Sequence, residues 1–259
     1  MAKIGLKGLD KKLDQLLENR IYRDGTVDAV LEDNAVLVTE DRYEQFSAPP
    51  DFEKFAFDDI RKKRILLLQM ANQYAPSSEP IQKLFQLATF TRNLEKLFPS
   101  PEHPAYKYYK TPDDFWWGGT EEMVMTKGSD WCAEVARLYC ALTQVCGIPS
   151  RIVYTMSSDG GHVISECFVN GKWVLVDPLA PKVYTKRNGQ PIGVVEMVSA
   201  SKEEFEEYTS STEGVYIDKS LFKYVGVSEY RIAEADQYDY GISKCNDYYR
   251  KILEPIWNK

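Results

Sequence analysis

The sequence predicts an α+β protein, in which one helix packs against an antiparallel sheet and a mainly helical region precedes them. Three observations predict this class. The period of amphipathic helices dominates the N-terminal part of the chain. A further helical stretch over 130–146 ends at Gly147, which is typical of a helix C-terminus. Two stretches rich in β-forming residues, 162–169 and 172–177, then flank an Asn-Gly dipeptide, the strongest short signal for a tight β-hairpin.

Helical periodicity in the N-terminal part occurs in three stretches. Leucines recur at helical spacing within 1–20, and apolar residues do so over 58–74 and 80–98. Pro99 ends the last of these helices, because proline lacks the amide hydrogen that a helix interior needs. Between the first two, residues 27–39 are rich in Val and Leu but contain charged residues in their middle. They predict a short hairpin or an irregular strand.

The remaining elements define the domain organisation. The sequence predicts strands over 151–156 and near 192–198, and a short acidic helix over 202–208. Residues 101–119 are dense in Pro, Tyr and Gly and mark the best internal boundary. We therefore divide the chain into a mainly helical N-terminal region over 1–110, a core over 111–200 and a Tyr-rich C-terminal extension over 201–259, packed on the core.

The composition describes an acidic, globular chain. Its 259 residues are 44% hydrophobic and 27% charged, and 32 Lys and Arg against 39 Asp and Glu give a net charge of −7. These proportions exclude a disordered or low-complexity chain. The deficit of cations argues against a general nucleic-acid binder, and no apolar run reaches the ~18 residues of a membrane helix. We expect neither nucleic acid nor a membrane as partner, and the sequence leaves the oligomeric state open.

The cysteines and the N-terminus bear on metal binding and compartment. The five cysteines are an odd number without a C-x-x-C pair, which predicts reduced thiols rather than a disulfide framework or a zinc site. We expect no metal and no cofactor. The first residues lack the apolar segment of a signal peptide, so we expect a cytoplasmic protein.

The predicted hairpin brings a histidine to an aspartate. In a hairpin with this Asn-Gly turn, Ile164 lies opposite Asp177, and His162 lies diagonal to Asp177 on the same face. Diagonal neighbours are ~7–8 Å apart at their Cα atoms, close enough for these side chains to hydrogen-bond. A carboxylate on one ring nitrogen raises the basicity of the other, as a general base requires. The same pair can also be a structural contact within the hairpin.

Cys132 lies at the N-terminal end of the predicted helix over 130–146. A helix N-terminus carries a partial positive charge and unpaired N–H groups, which favour a thiolate and can bind an oxyanion. The sequence thus contains a candidate nucleophile, base and orienting carboxylate in the order Cys132, His162, Asp177. Alternatively, Cys132 is one more small buried apolar residue, as most cysteines are.

These residues belong to an ordered set of motifs. The set comprises Gly128-Ser129-Asp130-Trp131-Cys132, then Gly147-Ile148-Pro149-Ser150-Arg151, then His162, Glu166, Asn170-Gly171-Lys172-Trp173 and Asp177-Pro178. Over about 128–178 the chain resembles the transglutaminase-like superfamily. The resemblance implies a papain-like core in which Cys132 is the nucleophile, His162 the base and Asp177 the orienting residue.

The resemblance also bears on the substrate pocket. The family often has Ala-Trp directly after its histidine, where this chain has Val163-Ile164, so the shape of the acyl pocket differs. The family's second oxyanion donor is usually a side chain upstream of the nucleophile, and an indole N–H of Trp116 or Trp117 would supply it. Trp131 is a further candidate for substrate binding. Tryptophans of this kind more often belong to a core or an interface.

The implied chemistry is acyl transfer through a cysteine. The Cys132 thiolate attacks an amide or ester carbonyl, His162 protonates the leaving amine, and a thioester acyl-enzyme forms. Attack by water makes the protein a protease- or amidase-type hydrolase, and attack by an amine makes it a transamidase. We favour hydrolysis, because the chain resembles small microbial members of the family, which are often hydrolytic. The substrate would be a peptide, a protein or a small amide.

Two alternatives stay open. Arylamine N-acetyltransferases have the same residue order, but their Arg-Gly-Gly-x-x-Cys signature is missing before Cys132. The second is a non-catalytic module of the same fold that binds a peptide or protein through aromatic residues, which 17 Tyr and 5 Trp would suit. We expect residues 101–119 and parts of the Tyr-rich tail to frame the cleft over Cys132.

Overall fold

The computed structural model describes residues 35–94, 121–127, 129, 132–157, 160–209 and 219–234. In these ranges the chain forms a six-stranded antiparallel sheet with helices on both faces, which confirms the predicted α+β class. None of the helices found there has the length and apolar character that crossing a membrane requires.

The helices and strands of the described ranges have the following bounds. The helices are α1 (Tyr43–Ser47), α2 (Phe57–Lys63), α3 (Ile65–Tyr74), α4 (Pro80–Arg92), α5 (Glu121–Lys127), α6 (Cys132–Val145), α7 (Val194–Ser199) and α8 (Lys202–Thr209). The strands are β1 (Ala35–Leu37), β2 (Ser150–Ser157), β3 (Gly160–Val169), β4 (Lys172–Asp177), β5 (Lys182–Val183) and β6 (Tyr224–Ser228). Short 3-10 helices cover Glu40–Arg42, Phe52–Phe55 and Lys219–Phe222.

The sheet has the strand order β1-β6-β2-β3-β4-β5. Strands β2, β3 and β4 are consecutive in the chain and form its centre. Strand β6 comes from much later in the sequence, yet it pairs with β2 and lies inside the sheet. The sequence predicts no strand there, because a five-residue strand in a Tyr-rich stretch shows too little periodicity to be recognised.

Two apolar cores lie on opposite sides of the sheet. One joins β2, β3 and β4 to helices α3, α4, α5 and α6, and the other joins the sheet to α1, α7 and α8. Helix α6 is the centre of the first core, and every residue from Ala133 to Val145 is buried. Because sheet and helices enclose α6, its N-terminal residue Cys132 is held at a fixed place beside the sheet.

The predicted C-terminus of α6 is confirmed. Gly147 has φ of +86°, a left-handed conformation that glycine adopts without strain. Arg61 of α2 donates from Nε to the carbonyl of Val145 at 3.1 Å, which satisfies one of the last carbonyls of the helix.

The predicted helix over 58–74 is two helices. Arg64 interrupts it with φ of −109° and ψ of 48°. Its fully buried guanidinium donates to Glu121 at 2.9 Å and to Glu122 at 2.6 Å, and both carboxylates are buried. This ion-pair contact with α5 is tertiary, so helical periodicity could not reveal it.

The predicted strand near 192–198 is wrong, since Val194–Ser199 is the helix α7. Its β-branched valines favoured a strand, but side chains satisfy the first amides of a helix instead. Glu196 accepts from the amide of Gly193 at 2.9 Å, and Glu166 accepts from the amide of Val194. The acidic helix predicted over 202–208 is confirmed as α8.

Other predictions lie partly or wholly outside the described residues. The N-terminal helix over 1–20 and the cleft-framing stretch 101–119 are outside them. The helix predicted over 80–98 is α4, but it ends earlier than predicted, at Arg92, with Asn93 as its C-cap; residues 95–98 fall outside the described ranges. Within the predicted strand region over 27–39, residues 35–37 form β1. The three-region division of the chain stays a prediction.

Candidate active site

The hairpin that carries the site has the predicted register. Val169 pairs with Lys172 and Phe168 with Trp173. Asn170 and Gly171 have φ of +52° and +80°, as a two-residue type I′ turn requires. The turn thereby determines which residues of β3 and β4 share a face.

The histidine and the aspartate of the hairpin are hydrogen-bonded. His162 Nε2 and Asp177 Oδ2 are 2.7 Å apart, and the Asp177 side chain is fully buried. The other carboxylate oxygen, Oδ1, accepts from the amides of Leu179 at 2.9 Å and Ala180 at 3.1 Å. Both oxygens of Asp177 are therefore engaged, which fixes the orientation of the imidazole that it contacts.

Cys132 completes the arrangement from the helix side. It is the first residue of α6, is partly buried, and shares a hydrogen bond with the His162 side chain. Because Nε2 of His162 faces Asp177, the ring presents Nδ1 to Cys132. Ser129, in the segment before α6, donates to Glu134 in the first turn at 2.6 Å and holds this segment to the helix. The structure thus brings the three predicted residues into one chain of contacts.

The electrostatics of this chain favour a charged imidazole. Burial of His162 opposes the charged form, but Asp177 and, to a lesser extent, Cys132 outweigh it and raise the pKa of His162 from 6.5 to about 10. The ring is therefore an imidazolium at neutral pH and lies in contact with a cysteine sulfur. This is the environment in which a cysteine acts as a nucleophile.

The other described cysteines have different surroundings. Burial raises the pKa of Cys140 to about 12 and places the pKa of Cys167 well above its ordinary value. Burial also raises the pKa of Cys146, at the far end of α6. These three remain thiols at neutral pH. Cys245 lies outside the described residues.

Two motif residues of the sequence analysis have a structural role that the sequence did not reveal. Arg151 donates from Nε to Glu166 at 2.8 Å, and its guanidinium also donates to the carbonyl of Phe46 at 2.6 Å. The guanidinium lies 3.8 Å from the centre of the Trp173 ring. Glu166 also accepts from the amide of Val194, the first residue of α7. The Arg151–Glu166 pair therefore connects the central strands to helices α1 and α7, on the face of the sheet opposite α6.

One charged residue beside the site was missed by the sequence analysis. Lys182 of β5 is directly opposite Asp177 in the ladder and is buried. The signal that could have identified it is the four-residue connection after Asp177, which contains two prolines and predicts a tight reversal of the chain.

The remaining site predictions concern tryptophans and metals. Trp116, Trp117 and Trp131, proposed for the oxyanion site and substrate binding, lie outside the described residues. Within the described ranges, no group of three or more His, Cys, Asp or Glu side chains is arranged to hold a metal ion.

Comparisons with known proteins bear on the family. Residues 69–178 match the family model of the transglutaminase-like superfamily. Among solved structures, a TGase matches with 16% identity and a TM-score of 0.33, over 70% of this chain and 39% of the other. A candidate cysteine protease from Cytophaga hutchinsonii matches with 14% identity and a TM-score of 0.33, over 82% of this chain and 67% of the other. A comparison with curated proteins finds no match.

The family match begins in α3 and ends directly after Asp177, so it contains all three residues of the contact chain. This chain spans about two fifths of the length of the TGase. The match also contains the motifs over about 128–178 through which the sequence resembles the same superfamily.

Proposed function

We propose that this protein carries out acyl chemistry on amide or ester carbonyls, with Cys132 as the nucleophile. The observation that carries the proposal is the contact chain from Cys132 through His162 to the buried carboxylate of Asp177, with 2.7 Å between the last two side chains. The match to the transglutaminase-like superfamily supports it, because cysteine-dependent enzymes belong to that superfamily.

The reaction begins with the Cys132 thiolate and the His162 imidazolium as an ion pair. The sulfur attacks the carbonyl carbon, a C–S bond forms, and the carbonyl electrons move to oxygen. Free N–H groups in the first turn of α6 stabilise this oxyanion. When the intermediate collapses, the C–N bond breaks and the leaving amine takes the proton from His162. A thioester and a neutral imidazole remain.

The thioester is then resolved by water in our proposal. Neutral His162 takes a proton from the water, whose oxygen attacks the thioester carbon, and the thiolate leaves. The acid product departs and the ion pair is restored. A primary amine that replaces the water would give a new amide instead. Peptides, proteins and small amides are the substrate class, and hydrolysis is the outcome that we propose.

Selective alkylation tests the nucleophile without knowledge of the substrate. Iodoacetamide is added between pH 4 and 10 to the wild type and to His162→Ala, and mass spectrometry locates the modified cysteine. We expect Cys132 to react in neutral solution and in mildly acidic solution, where ordinary thiols are slow, and we expect His162→Ala to abolish this advantage. Cys146→Ser is the matched control, since Cys146 is the partly buried cysteine at the other end of α6.

Turnover is then measured on model p-nitroanilides and thioesters, with and without a primary amine, for the wild type and for Cys132→Ala. Release of product that depends on Cys132 supports the proposal, and the amine dependence separates hydrolysis from transamidation. If Cys132 reacts no faster than Cys146 and no substrate is turned over, the enzymatic proposal is wrong. The non-catalytic binding module would then be the better hypothesis.

A further inference from the structure

A buried lysine lies opposite the aspartate that orients the histidine. Lys182 of β5 pairs directly with Asp177 of β4, and side chains at such positions have Cβ atoms ~4.5–5.5 Å apart on one face of the sheet. Only 5% of Lys182 is exposed. Its Nζ lies 5.0 Å from the centre of the Tyr184 ring, two residues further along the chain.

Among the described residues, several charged or titratable groups lie around this lysine and the histidine. Asp177 on β4 raises the pKa of both side chains, and Cys132 on α6 raises that of the histidine. Tyr184, just after β5, has a phenol pKa held well above its ordinary value by burial and by Asp177, so it is neutral. The same helix as Cys132 carries Glu134, which binds Ser129.

Helix α4 also packs on β5. It brings the neutral hydroxyl of Thr91 to within 3.5 Å of the Pro178 carbonyl, in the turn after Asp177. Of its two cations, Arg92 is exposed, and Lys83 donates to the carbonyl of Ala75. Neither is engaged with the carboxylate of Asp177, and Lys182 is the lysine that faces it.

We propose that Lys182 is a positioning residue that shares the charge of Asp177 with His162 and thereby makes the imidazolium a better proton donor to the leaving group. The inference rests on the proposed function. A lone carboxylate would hold the imidazolium proton so firmly that the leaving amine would receive it slowly. A second cation near that carboxylate weakens the hold, because it repels the imidazolium and also attracts the charge of Asp177.

The ionisation of Lys182 itself supports this arrangement. Burial lowers the pKa of Lys182 from 10.5 to about 8, against the opposing influence of Asp177. The lysine is therefore charged at neutral pH and loses its charge before His162 does. A unit charge ~10 Å away, which is about two strand spacings of ~4.8 Å, changes the proton affinity of the imidazole by about one pH unit at an effective dielectric constant of ~20.

The test is an NMR titration of the His162 ring from pH 6 to 11, in protein without substrate. The chain has two histidines, so His103→Gln assigns the signals. In the wild type we expect the His162 signals to move near pH 8, when Lys182 is neutralised, and again near pH 10. In Lys182→Met the first step disappears. In Lys182→Arg it also disappears, and the histidine titrates about one pH unit lower than in Lys182→Met, because arginine stays charged.

Lys186→Met is the matched control and should titrate like the wild type. Lys182→Arg keeps the charge and guards against a variant that simply fails to fold. Identical His162 curves in the wild type, Lys182→Met and Lys182→Arg would overturn the inference. Since no substrate is used, the two proposals can fail separately. A His162 step near pH 8 together with an unreactive Cys132 would support the charge coupling between Lys182 and His162. The same result would refute the enzymatic role.

Where turnover is found, it adds a second readout. Below pH 8 we expect kcat of Lys182→Met to fall several-fold with little change in KM, since proton delivery and not binding is affected. Lys182→Arg should retain kcat below pH 8 and exceed the wild type above it. An equal loss in both variants would indicate a merely structural lysine.

Discussion

Replacing Asp177 by asparagine removes one negative charge from the site and preserves its shape. The asparagine oxygen can still accept from the amides of Leu179 and Ala180, which Asp177 now binds at 2.9 and 3.1 Å. The turn after β4 should therefore survive. What changes is the contact with His162, where a carboxylate at 2.7 Å becomes a neutral amide.

The magnitude follows from the pKa of His162. Despite the opposing effect of burial, Asp177 and Cys132 raise this pKa from 6.5 to about 10. Since one pKa unit is ~1.36 kcal/mol, the folded site favours the protonated ring by about 5 kcal/mol more than water does. Without the Asp177 charge, burial dominates, and we expect the pKa of His162 to fall to 6.5 or below. The imidazole is then neutral at pH 7 and cannot pair with a thiolate. Because general acid–base catalysis contributes 10²–10⁴-fold, kcat should fall by on the order of 10³-fold.

The same shift predicts how stability depends on pH. The folded-state pKa of His162 lies above its unfolded value, so its stabilisation is complete below pH 6.5 and is lost as the pH rises to about 10. The wild type should therefore lose unfolding free energy across this window, and Asp177→Asn should lose much less. Urea unfolding at pH 6 and pH 9.5 measures the difference, and the His162 NMR signals report the pKa directly.

Asp59→Asn is the matched control, because Asp59 pairs with Lys63 at 2.9 Å on the exposed side of α2. An exposed pair of this kind contributes little, so its removal should leave both the titration of His162 and the pH dependence unchanged. If Asp177→Asn leaves the pKa of His162 near 10, the carboxylate does not hold the imidazolium, and the argument for the ion pair fails.

Two further predictions concern the fold that supports the site. Arg151→Met leaves the buried Glu166 without its cation and should lower the unfolding free energy by about 3–5 kcal/mol in urea, whereas Glu166→Gln with Arg151→Met should recover part of it. An unchanged urea midpoint would show that the pair is dispensable. Gly171→Ala should cost about 1–2 kcal/mol through its φ of +80° alone, since the added Cβ meets nothing within 4 Å. Thermal unfolding measures it, and a neutral result would contradict the type I′ turn.

Local sequence signals predicted the elements that lie closest to the candidate site. The Asn-Gly turn set the register of β3 and β4, and this register alone predicted that His162 and Asp177 share one face of the hairpin. Gly147 marked the end of α6, and the predicted helix over 130–146 placed Cys132 near its beginning. Turns and helix ends depend on a few neighbouring residues, so their signals can be recognised in one sequence.

Other features depend on residues far apart in the chain. The interruption at Arg64 exists because Glu121 and Glu122 bind its guanidinium, and α7 begins where Glu166 accepts from the amide of Val194. Local pattern predicted a continuous helix in the first case and a strand in the second. In each case a buried polar group needed a partner, and the cost of leaving it unsatisfied outweighed local propensity.

The sequence by itself determined the residue types of the site, the register of the hairpin and the position of Cys132 at a helix end. Only the tertiary structure decided that Cys132 meets the open side of His162, that β6 lies inside the sheet and that Lys182 faces Asp177. The physical reason is how far apart in the sequence the interacting residues lie. Backbone conformation at a turn or a helix end is a local property, whereas packing a helix on a sheet and pairing buried charges depend on the whole folded chain.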